Sequence, residues 1–286
     1  MIRRLSFVTL LLLLGACAAG GVVPKRVLAP AGLARGFAWG QAEAGGVDLA
    51  VSGDVYPGDA LLLPMRMTFD LDDRLRPWAD WQPAAWIDRE SDGWHRGGSG
   101  DLAVGLQQRL GNGGDEDSWA PVISANVFAV AAHGGPRPPR IPGVIEGEEG
   151  YYAILMTEWG NLDRSLTLNV GGGVGGRVGA PIAGRPFEFR GQRGKSGRML
   201  ASLAFTEALP ATGIDFSTEP SRVGAEVFWL HDPVDDRTFA ELHLGVSFWL
   251  GANEVDLGWR RGLTSETEDN VFYLGFRIRL FDTLSF

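Results

Sequence analysis

A two-residue alternation of apolar and polar side chains recurs along most of this chain and constrains its fold more than any other feature. In one of the clearest segments the alternate positions are all apolar, namely Phe272, Leu274, Phe276, Ile278 and Leu280. Period-two alternation indicates a β-strand with one face against an apolar environment. Comparable segments lie near 47–55, 60–71, 78–88, 99–110, 118–131, 150–159, 162–174, 198–208, 221–231, 242–250 and 254–260. The sequence therefore predicts about twelve strands.

The predicted strands are long, which favours a membrane-spanning barrel. Most exceed the ~5–6 residues of a typical soluble strand and match the ~9–11 residues that cross a bilayer as a tilted strand. A soluble β-sandwich would also alternate, so the period alone leaves both classes open.

The connections between the predicted strands alternate in length. Two-residue turns at Gly160-Asn161 and Gly251-Ala252 follow even-numbered strands, whereas longer segments near 88–98, 133–149, 175–197 and 262–270 follow odd-numbered ones. Short turns on one rim and long loops on the other are typical of outer-membrane barrels. We therefore expect an all-β fold, a single antiparallel up-and-down transmembrane barrel of about twelve strands over residues 45–286.

Two further patterns favour the membrane. Trp119, Trp159, Trp229 and Trp249 lie near predicted strand ends, where an interfacial aromatic girdle would place them. The last strand, with the chain ending at Phe286, resembles the C-terminal assembly signal of outer-membrane barrel proteins. That resemblance implies a contact with the barrel-assembly machinery and with outer-membrane lipid.

The N-terminus has the features of a secretory signal. Arg3 and Arg4 precede an apolar run from Leu5 to Leu14, so residues 1–16 are predicted to be a signal peptide. Cys17 is the only cysteine and occupies the position that a lipobox over 14–17 requires, although Ala16-Cys17-Ala18 also fits ordinary signal cleavage. We expect Cys17 to be lipidated, and residues 17–44, rich in Ala and Gly, to form a tether.

The strand pattern also predicts which side chains face the interior and how the last three strands pair. The tight turn at Gly251-Ala252 pairs Leu250 with Asn253, and hence His243 with Arg260. For the next hairpin the two faces stay consistent if Asp256 pairs with Arg277 and Glu254 with Arg279, although a slip by two residues would exchange these partners. The candidate lumen-facing residues are Glu241, His243, Glu254, Asp256, Arg260, Arg277 and Arg279.

Two stretches resemble a known family. Gly100–Leu110 resembles the G-D-x-x-x-G-x-x-x-R-L strand of the meta-pathway phenol-degradation transporter family, and Glu254–Leu263 resembles its penultimate strand. The resemblance implies an outer-membrane barrel of the transporter type without an assigned substrate. The apolar stretch Val122–Ala132 and the lipobox depart from that family.

No motif for catalysis, metal or cofactor binding stands out. The four histidines lack metal-ligand spacing, and no G-x-S-x-G occurs. Glu241, His243 and Ser247 would share one face, as polar residues do on any polar lumen, so we expect no catalytic site. The net charge of −9 argues against nucleic acid as a partner.

The predicted loop 175–197 is basic. Arg185, Arg190, Arg193 and Lys195 are candidates for contacts with lipopolysaccharide phosphates, and a solvated loop is the simpler interpretation. The sequence thus predicts a passive pore or small-solute-binding barrel in the outer membrane. The alternative is a lipid-anchored periplasmic β-rich binding or assembly module.

Overall fold

The computed structural model describes most of the chain from residue 46 to residue 281. It leaves out 57–59, 72–73, 90–93, 99–101, 112–120, 132–149, 161–162, 178–179, 183–184, 191–192, 210–220, 234–235, 251–252 and 265–269. The predicted signal peptide 1–16, the lipobox Cys17, the tether 17–44, Trp119 and Phe286 lie outside the described residues.

The described residues form β-strands joined by turns. The strands are β1 (Val47–Tyr56), β2 (Ala60–Phe69), β3 (Leu75–Arg89), β4 (Trp94–Gly98), β5 (Leu102–Gly111), β6 (Val122–Ala131), β7 (Gly150–Gly160), β8 (Arg164–Arg177), β9 (Ala180–Ile182), β10 (Arg185–Arg190), β11 (Arg193–Ala208), β12 (Arg222–Asp232), β13 (Arg237–Leu250), β14 (Asn253–Gly262) and β15 (Val271–Phe281). Within this part of the chain, no helix is long and apolar enough to cross a membrane.

Twelve of these strands close into an antiparallel barrel, as the sequence predicts. The wall consists of β1–β3, β5–β8 and β11–β15, each paired with its neighbours in chain order, and β1 pairs with β15 to close the ring. We call the rim where β7 and β13 end the turn rim, and the opposite rim the loop rim. Since strand direction alternates, β1 begins and β15 ends at the turn rim.

Three short strands or extensions lie outside the predicted pattern. The end of β3 pairs with β4, and β9 pairs with β10 in a separate hairpin, all at the loop rim. The segments predicted as loops over 88–98 and 175–197 are therefore partly strands. β4, β9 and β10 have 5, 3 and 6 residues, too few for the alternation that reveals a strand to stand out.

Of the two tight turns predicted at the turn rim, the one at 251–252 is confirmed by the pairing of Leu250 with Asn253. The one predicted at Gly160-Asn161 is wrong in length, because Gly160 is the last residue of β7 and pairs with Ser165. Gly160 closes the β7–β8 turn with φ at 143°, a conformation that side chains rarely adopt. A Cβ at Gly160 would lie 2.1 Å from the carbonyl oxygen of Arg164. Glycine is therefore required there by the backbone.

The outer face of the barrel is apolar from strand to strand. Leu244, Leu257 and Phe276, at apolar positions of the alternating pattern, are 42%, 42% and 44% exposed. Other large apolar side chains exposed on the same face include Val104, Leu155, Val170, Leu203, Val227, Phe272 and Leu274. An uninterrupted apolar belt of this kind is what a lipid-facing barrel requires.

Polar and aromatic side chains mark the edges of this apolar belt. At the turn rim, Arg164 Nη2 lies 2.9 Å from Glu207 Oε1, with both side chains largely exposed. Trp159 occupies the end of β7 at that rim, and Trp229 lies towards the loop rim with its ring stacked 5.8 Å from that of His231. The side chain of Trp249 lies outside the described residues.

Candidate functional site

The interior of the barrel is divided into an apolar arc and a charged arc. The apolar arc runs along β3, β5–β7 and β11–β13 and consists of Trp78, Ala103, Phe128, Val130, Tyr152, Ile154, Met156, Leu200, Phe228, Leu230 and Phe239. The charged arc runs from β12 through β15 to β1–β3. The two arcs share β3, β12 and β13, and the strands of the apolar arc also carry the buried charges Arg109, Glu158, Arg198 and Arg222.

Aromatic rings in the apolar arc lie over glycines of neighbouring strands. Phe128 lies between Trp78 and Tyr152, with ring centroids 5.5 Å and 5.1 Å apart respectively. A Cβ at Gly105 would lie 2.4 Å from the Trp78 ring, and one at Gly173 would lie 2.3 Å from that of Tyr152. These glycines give the rings space to lie flat along the wall.

Polar groups fix the orientation of this aromatic cluster. The Trp78 indole Nε1 donates a hydrogen bond of 2.9 Å to Asn126 Oδ1, which reaches across from β6. On β8, Asn169 Nδ2 donates to Ser202 Oγ at 2.9 Å. Both asparagines are 0% exposed, so their amides are part of the packed interior.

His243 is the centre of the charged arc. Its Nε2 lies 2.8 Å from Glu241 Oε2 on the same strand, and its Nδ1 lies 3.2 Å from Glu226 Oε2 on β12. The imidazole is 0% exposed. Both ring nitrogens therefore face carboxylates, and neither is directed at Ser247, whose hydroxyl is buried without a hydrogen-bond partner among the described residues.

Arg260 connects three strands of the charged arc. Its Nη2 lies 2.5 Å from Asp54 Oδ2 on β1, and its guanidinium lies 5.9 Å from the centre of the Tyr273 ring on β15. The predicted cross-strand pairing of His243 with Arg260 is confirmed. The buried guanidinium thus has a carboxylate and an aromatic ring as partners.

A second charged group lies nearer the turn rim. Arg277 Nη1 lies 3.1 Å from Glu254 Oε2, and Glu254 and Arg277 are direct cross-strand partners. Beyond β1, Arg76 on β3 pairs with Asp70 just after β2, and Arg66 Nη2 on β2 lies 2.7 Å from Asp80 Oδ2 on β3.

The pairing predicted for β14 and β15 is wrong by two residues. Asp256 pairs with Gly275 and Glu254 with Arg277, so the predicted partners Asp256–Arg277 and Glu254–Arg279 do not form. The observed register places Tyr273 opposite Gly258, where a Cβ would lie 2.2 Å from the ring. An inward aromatic ring covering a cross-strand glycine decides the register, whereas the predicted register would have left two glycines opposite each other.

A row of three glycines crosses neighbouring strands of the wall. It consists of Gly224, Gly245 and Gly258 on β12, β13 and β14, and Tyr273 covers its last member. A signal for this arrangement was present in the sequence, because Tyr273 is an aromatic residue on the otherwise polar face of its strand.

The other predicted site residues divide into buried and undescribed ones. Glu241, His243, Glu254, Asp256 and Arg260 are buried on the inner face. Arg277 is partly exposed there, at 20%. The side chains of Arg279, Arg185, Arg190, Arg193 and Lys195 lie outside the described residues. The sequence did not reveal the roles of Glu226, Asp54 and the aromatic cluster. Glu226 contacts His243 and Asp54 contacts Arg260 from other strands, so these contacts depend on strand pairing.

The arrangement offers no metal cage in the part of the chain that is described. Within it, no three His, Cys, Asp or Glu side chains are placed to hold a metal ion. Among the described residues, the inner carboxylates of Asp54, Asp70, Glu226 and Glu254 contact arginine or histidine, so the chemistry of the interior is that of paired charges.

Comparison with known proteins places the fold. No family model and no curated protein matches the sequence. Among solved structures, the NanC porin aligns with a TM-score of 0.53 and 8% identity, covering 82% of this chain and all of that one. The fold is that of outer-membrane porins and channels.

Two further solved structures share this barrel fold. The COG4313 outer membrane channel from Pseudomonas putida F1 aligns with a TM-score of 0.53 and 12% identity, covering 84% of this chain and 97% of that one. The KdgM porin, solved with disordered oligogalacturonate, gives a TM-score of 0.50 and 6% identity over 80% of this chain and 97% of its own. The likeness to outer-membrane barrels is confirmed, whereas membership of the meta-pathway phenol-degradation family is not.

Proposed function

We propose that this protein is an outer-membrane barrel of the channel type, which passes or binds a small solute and performs no covalent chemistry. The observation that carries the proposal is the orientation of the two faces. Large apolar side chains cover the outside, and paired charges fill the charged arc inside. A soluble barrel has the opposite arrangement, with its apolar side chains inside and its charges in water.

This orientation disfavours the lipid-anchored periplasmic module. Leu257 and Leu274, cross-strand partners on the outer face, are both 42% exposed. In water, a continuous belt of such pairs around the barrel would be an exposed apolar surface far larger than soluble monomers carry. Hydrocarbon removes that cost, so the belt supports a location within the outer-membrane bilayer.

The non-enzymatic part of the proposal rests on His243. A catalytic histidine needs one ring nitrogen for the nucleophile or substrate and the other for an orienting group. Here both nitrogens face glutamates, at 2.8 Å and 3.2 Å, and the ring is 0% exposed. Outer-membrane lipid and, through the last strand, the barrel-assembly machinery are the partners that this function implies.

Two measurements test the proposal. The folded protein should fractionate with outer membranes and migrate differently in gels with and without heating, as closed barrels do. Reconstituted into planar bilayers, it should produce discrete conductance steps or bind a solute from a small-molecule panel. Recovery as a soluble periplasmic protein without heat-modifiable migration would contradict the membrane barrel. Hydrolysis of a lipid or ester panel that is lost in His243→Gln would contradict the non-enzymatic part.

A further inference from the structure

Two buried polar atoms on neighbouring strands of the charged arc lack hydrogen-bond partners. Ser247 on β13 and Asp256 on β14 are directly paired across the two strands, on the inner face. Ser247 is 0% exposed and Asp256 is 3% exposed. Among the described residues, neither the Ser247 hydroxyl oxygen nor Asp256 Oδ1 has a hydrogen-bond partner. Buried polar groups are nearly always satisfied by protein, ordered water or a bound group, so this pair points to something bound between its members.

We propose that Ser247 and Asp256 bind the ammonium group of a small primary amine. This inference deepens the channel function by naming a class of solute, and it rests on that function because the ligand reaches the site from the lumen. Besides the two unsatisfied atoms, three observations carry it: the spacing of the two residues, the local balance of charge and the small residues beside them.

The two residues are close enough to share one donor group. Residues directly opposite each other in an antiparallel pair have Cβ atoms about 4.5–5.5 Å apart. The hydroxyl of Ser247 and Oδ1 of Asp256 nevertheless do not satisfy each other, so a third group is needed to bridge them. An ammonium group has three N–H donors and no acceptor, and therefore suits two neighbouring oxygen acceptors.

The surroundings have an excess of negative charge. Arg260 is engaged by Asp54 of β1, outside the four strands β12–β15. Apart from His243, the other inner charges on these strands whose side chains are described are Glu226, Glu241, Glu254, Asp256, Arg222 and Arg277. Four carboxylates thus face two arginines, and Arg277 already contacts Glu254 at 3.1 Å. Because a buried carboxylate without a counter-charge is unfavourable, a cationic ligand beside Asp256 is stabilising.

Small residues lie on two sides of the pair. On β13, the next inner position after Ser247 towards the loop rim is Gly245. Across from Asp256 on β15 is Gly275, and the next residue in that row is Ser52 on β1, which is half-buried. A Cβ at Gly275 would lie 3.4 Å from Asp256 Oδ2, so any larger side chain there would press on the carboxylate. Glycine within a strand often marks a place where a ligand approaches the backbone closely.

Other ligand classes fit this place less well. In the part of the chain that is described, no three His, Cys, Asp or Glu side chains are grouped to hold a metal ion. An anion would meet both Glu254 and Asp256, which lie two residues apart on the same strand and are both buried. A neutral alcohol supplies one donor and no charge, so it leaves the carboxylate uncompensated.

Three small probes separate charge from hydrogen bonding. Methylammonium has a positive charge and N–H donors, tetramethylammonium has the charge without donors, and methanol has a donor without the charge. Saturation-transfer NMR on the full protein folded in detergent micelles, at constant ionic strength, measures the binding of each probe without requiring conductance. We expect saturable binding of methylammonium, and no saturable binding of tetramethylammonium or methanol.

Variants of the two residues test where the probe binds. Asp256→Asn should weaken methylammonium binding by at least about tenfold, because it removes the charge and nearly keeps the shape. Ser247→Ala should weaken binding several-fold by removing one acceptor. The matched control is Glu207→Gln, which changes an exposed carboxylate paired with Arg164 at the turn rim and should leave binding unchanged. Heat-modifiable migration verifies that each variant folds, and having two site variants covers the failure of either.

Several outcomes would overturn the inference. Absence of saturable methylammonium binding to the wild-type protein would indicate that ordered water satisfies the two atoms. Equal binding of methylammonium and tetramethylammonium would show attraction of any cation, and full binding by Asp256→Asn would place the probe elsewhere.

Conductance in planar bilayers distinguishes failure of this site from failure of the channel. Conductance steps without methylammonium binding would support the channel and overturn the site. Methylammonium binding that is lost in Asp256→Asn, without conductance in any bilayer, would support the site and contradict an open pore.

Discussion

Arg260 on β14 reaches past β15 to Asp54 on β1, with 2.5 Å between Nη2 and Oδ2. These residues are 206 positions apart, and their contact spans the seam where the first strand of the barrel meets the last. The seam is therefore held by backbone pairing and by an ion pair on its inner side. Removing one partner of a buried pair leaves the other charge uncompensated.

The ion pair at the seam should be energetically coupled. Arg260→Met is expected to destabilise the folded barrel by about 3–5 kcal/mol, because Asp54 is left buried without its cation. Combining it with Asp54→Asn should cost less than the two single changes added together. Equilibrium unfolding from lipid vesicles in urea provides the measurement, and simple additivity of the two changes would show that the pair is not coupled.

The register of β14 and β15 is testable by exchanging charges. Reversing Glu254 or Arg277 alone should lower refolding yield, since like charges directly across a strand pair are unfavourable. The double exchange Glu254→Arg with Arg277→Glu should restore most of that loss. The exchange Asp256→Arg with Arg277→Glu is the control for the rejected register, and equal rescue by both would argue against the observed pairing.

The two outcomes for the last hairpins show what the sequence could and could not decide. A two-residue turn leaves one reasonable register, so the pairing of Leu250 with Asn253, and of Ser247 with Asp256, followed from the sequence and is confirmed. The β14–β15 connection runs from 263 to 270, and a loop of that length permits slips by two residues that keep both faces unchanged. Packing of Tyr273 against Gly258 then decides among them.

The same reasoning applies to the interior. Alternation predicts that Glu241 and His243 face inward, but the carboxylate that meets the second nitrogen of His243 comes from β12, after a connection of uncertain register. Pairs within one strand or across a tight turn were predictable. Pairs joined by longer connections, such as Glu226–His243 and Arg260–Asp54, required the structure.

Gly258 should tolerate no side chain while Tyr273 is present. Gly258→Ala is expected to cost about 1–3 kcal/mol, because its methyl group must displace the Tyr273 ring. The matched control is Gly275→Ala on the neighbouring strand, where the nearest atom to a Cβ lies at 3.4 Å. Denaturant unfolding measures the free energy of unfolding of each variant. In a Tyr273→Ala background, Gly258→Ala should cost much less stability than in the wild-type protein. If the cost stays the same, the Tyr273 ring is not its cause.

The cost of placing a charge on the outer face should depend on its depth in the bilayer. Leu257→Arg is expected to destabilise the barrel by about 2–4 kcal/mol if Leu257 lies at mid-depth. The adjacent inner position provides the control, because Asp256→Arg places its charge among other charges and should not depend on bilayer thickness. Refolding into lipids of two chain lengths distinguishes Leu257→Arg from Asp256→Arg. The same change in stability for both variants would contradict the assignment of Leu257 to the outer face.

Cys17 is predicted to be the acylated first residue of the mature protein. Cells grown with an alkyne analogue of palmitate should label the wild-type protein, and Cys17→Ala should abolish the label without preventing barrel formation. An unlabelled mature chain beginning at Ala19 would instead indicate ordinary signal cleavage.

The consecutive layout of the strands has a consequence for how the lumen can change. Because neighbouring strands of the barrel wall follow one another in the chain, position around the lumen corresponds to position along the sequence. Exchange of a single segment with a related barrel, with junctions in the turns after β7 and β13, would replace one side of the lumen and keep the other. Such a lumen can acquire a new lining by recombination, one sector at a time, while the lipid-facing belt remains the same.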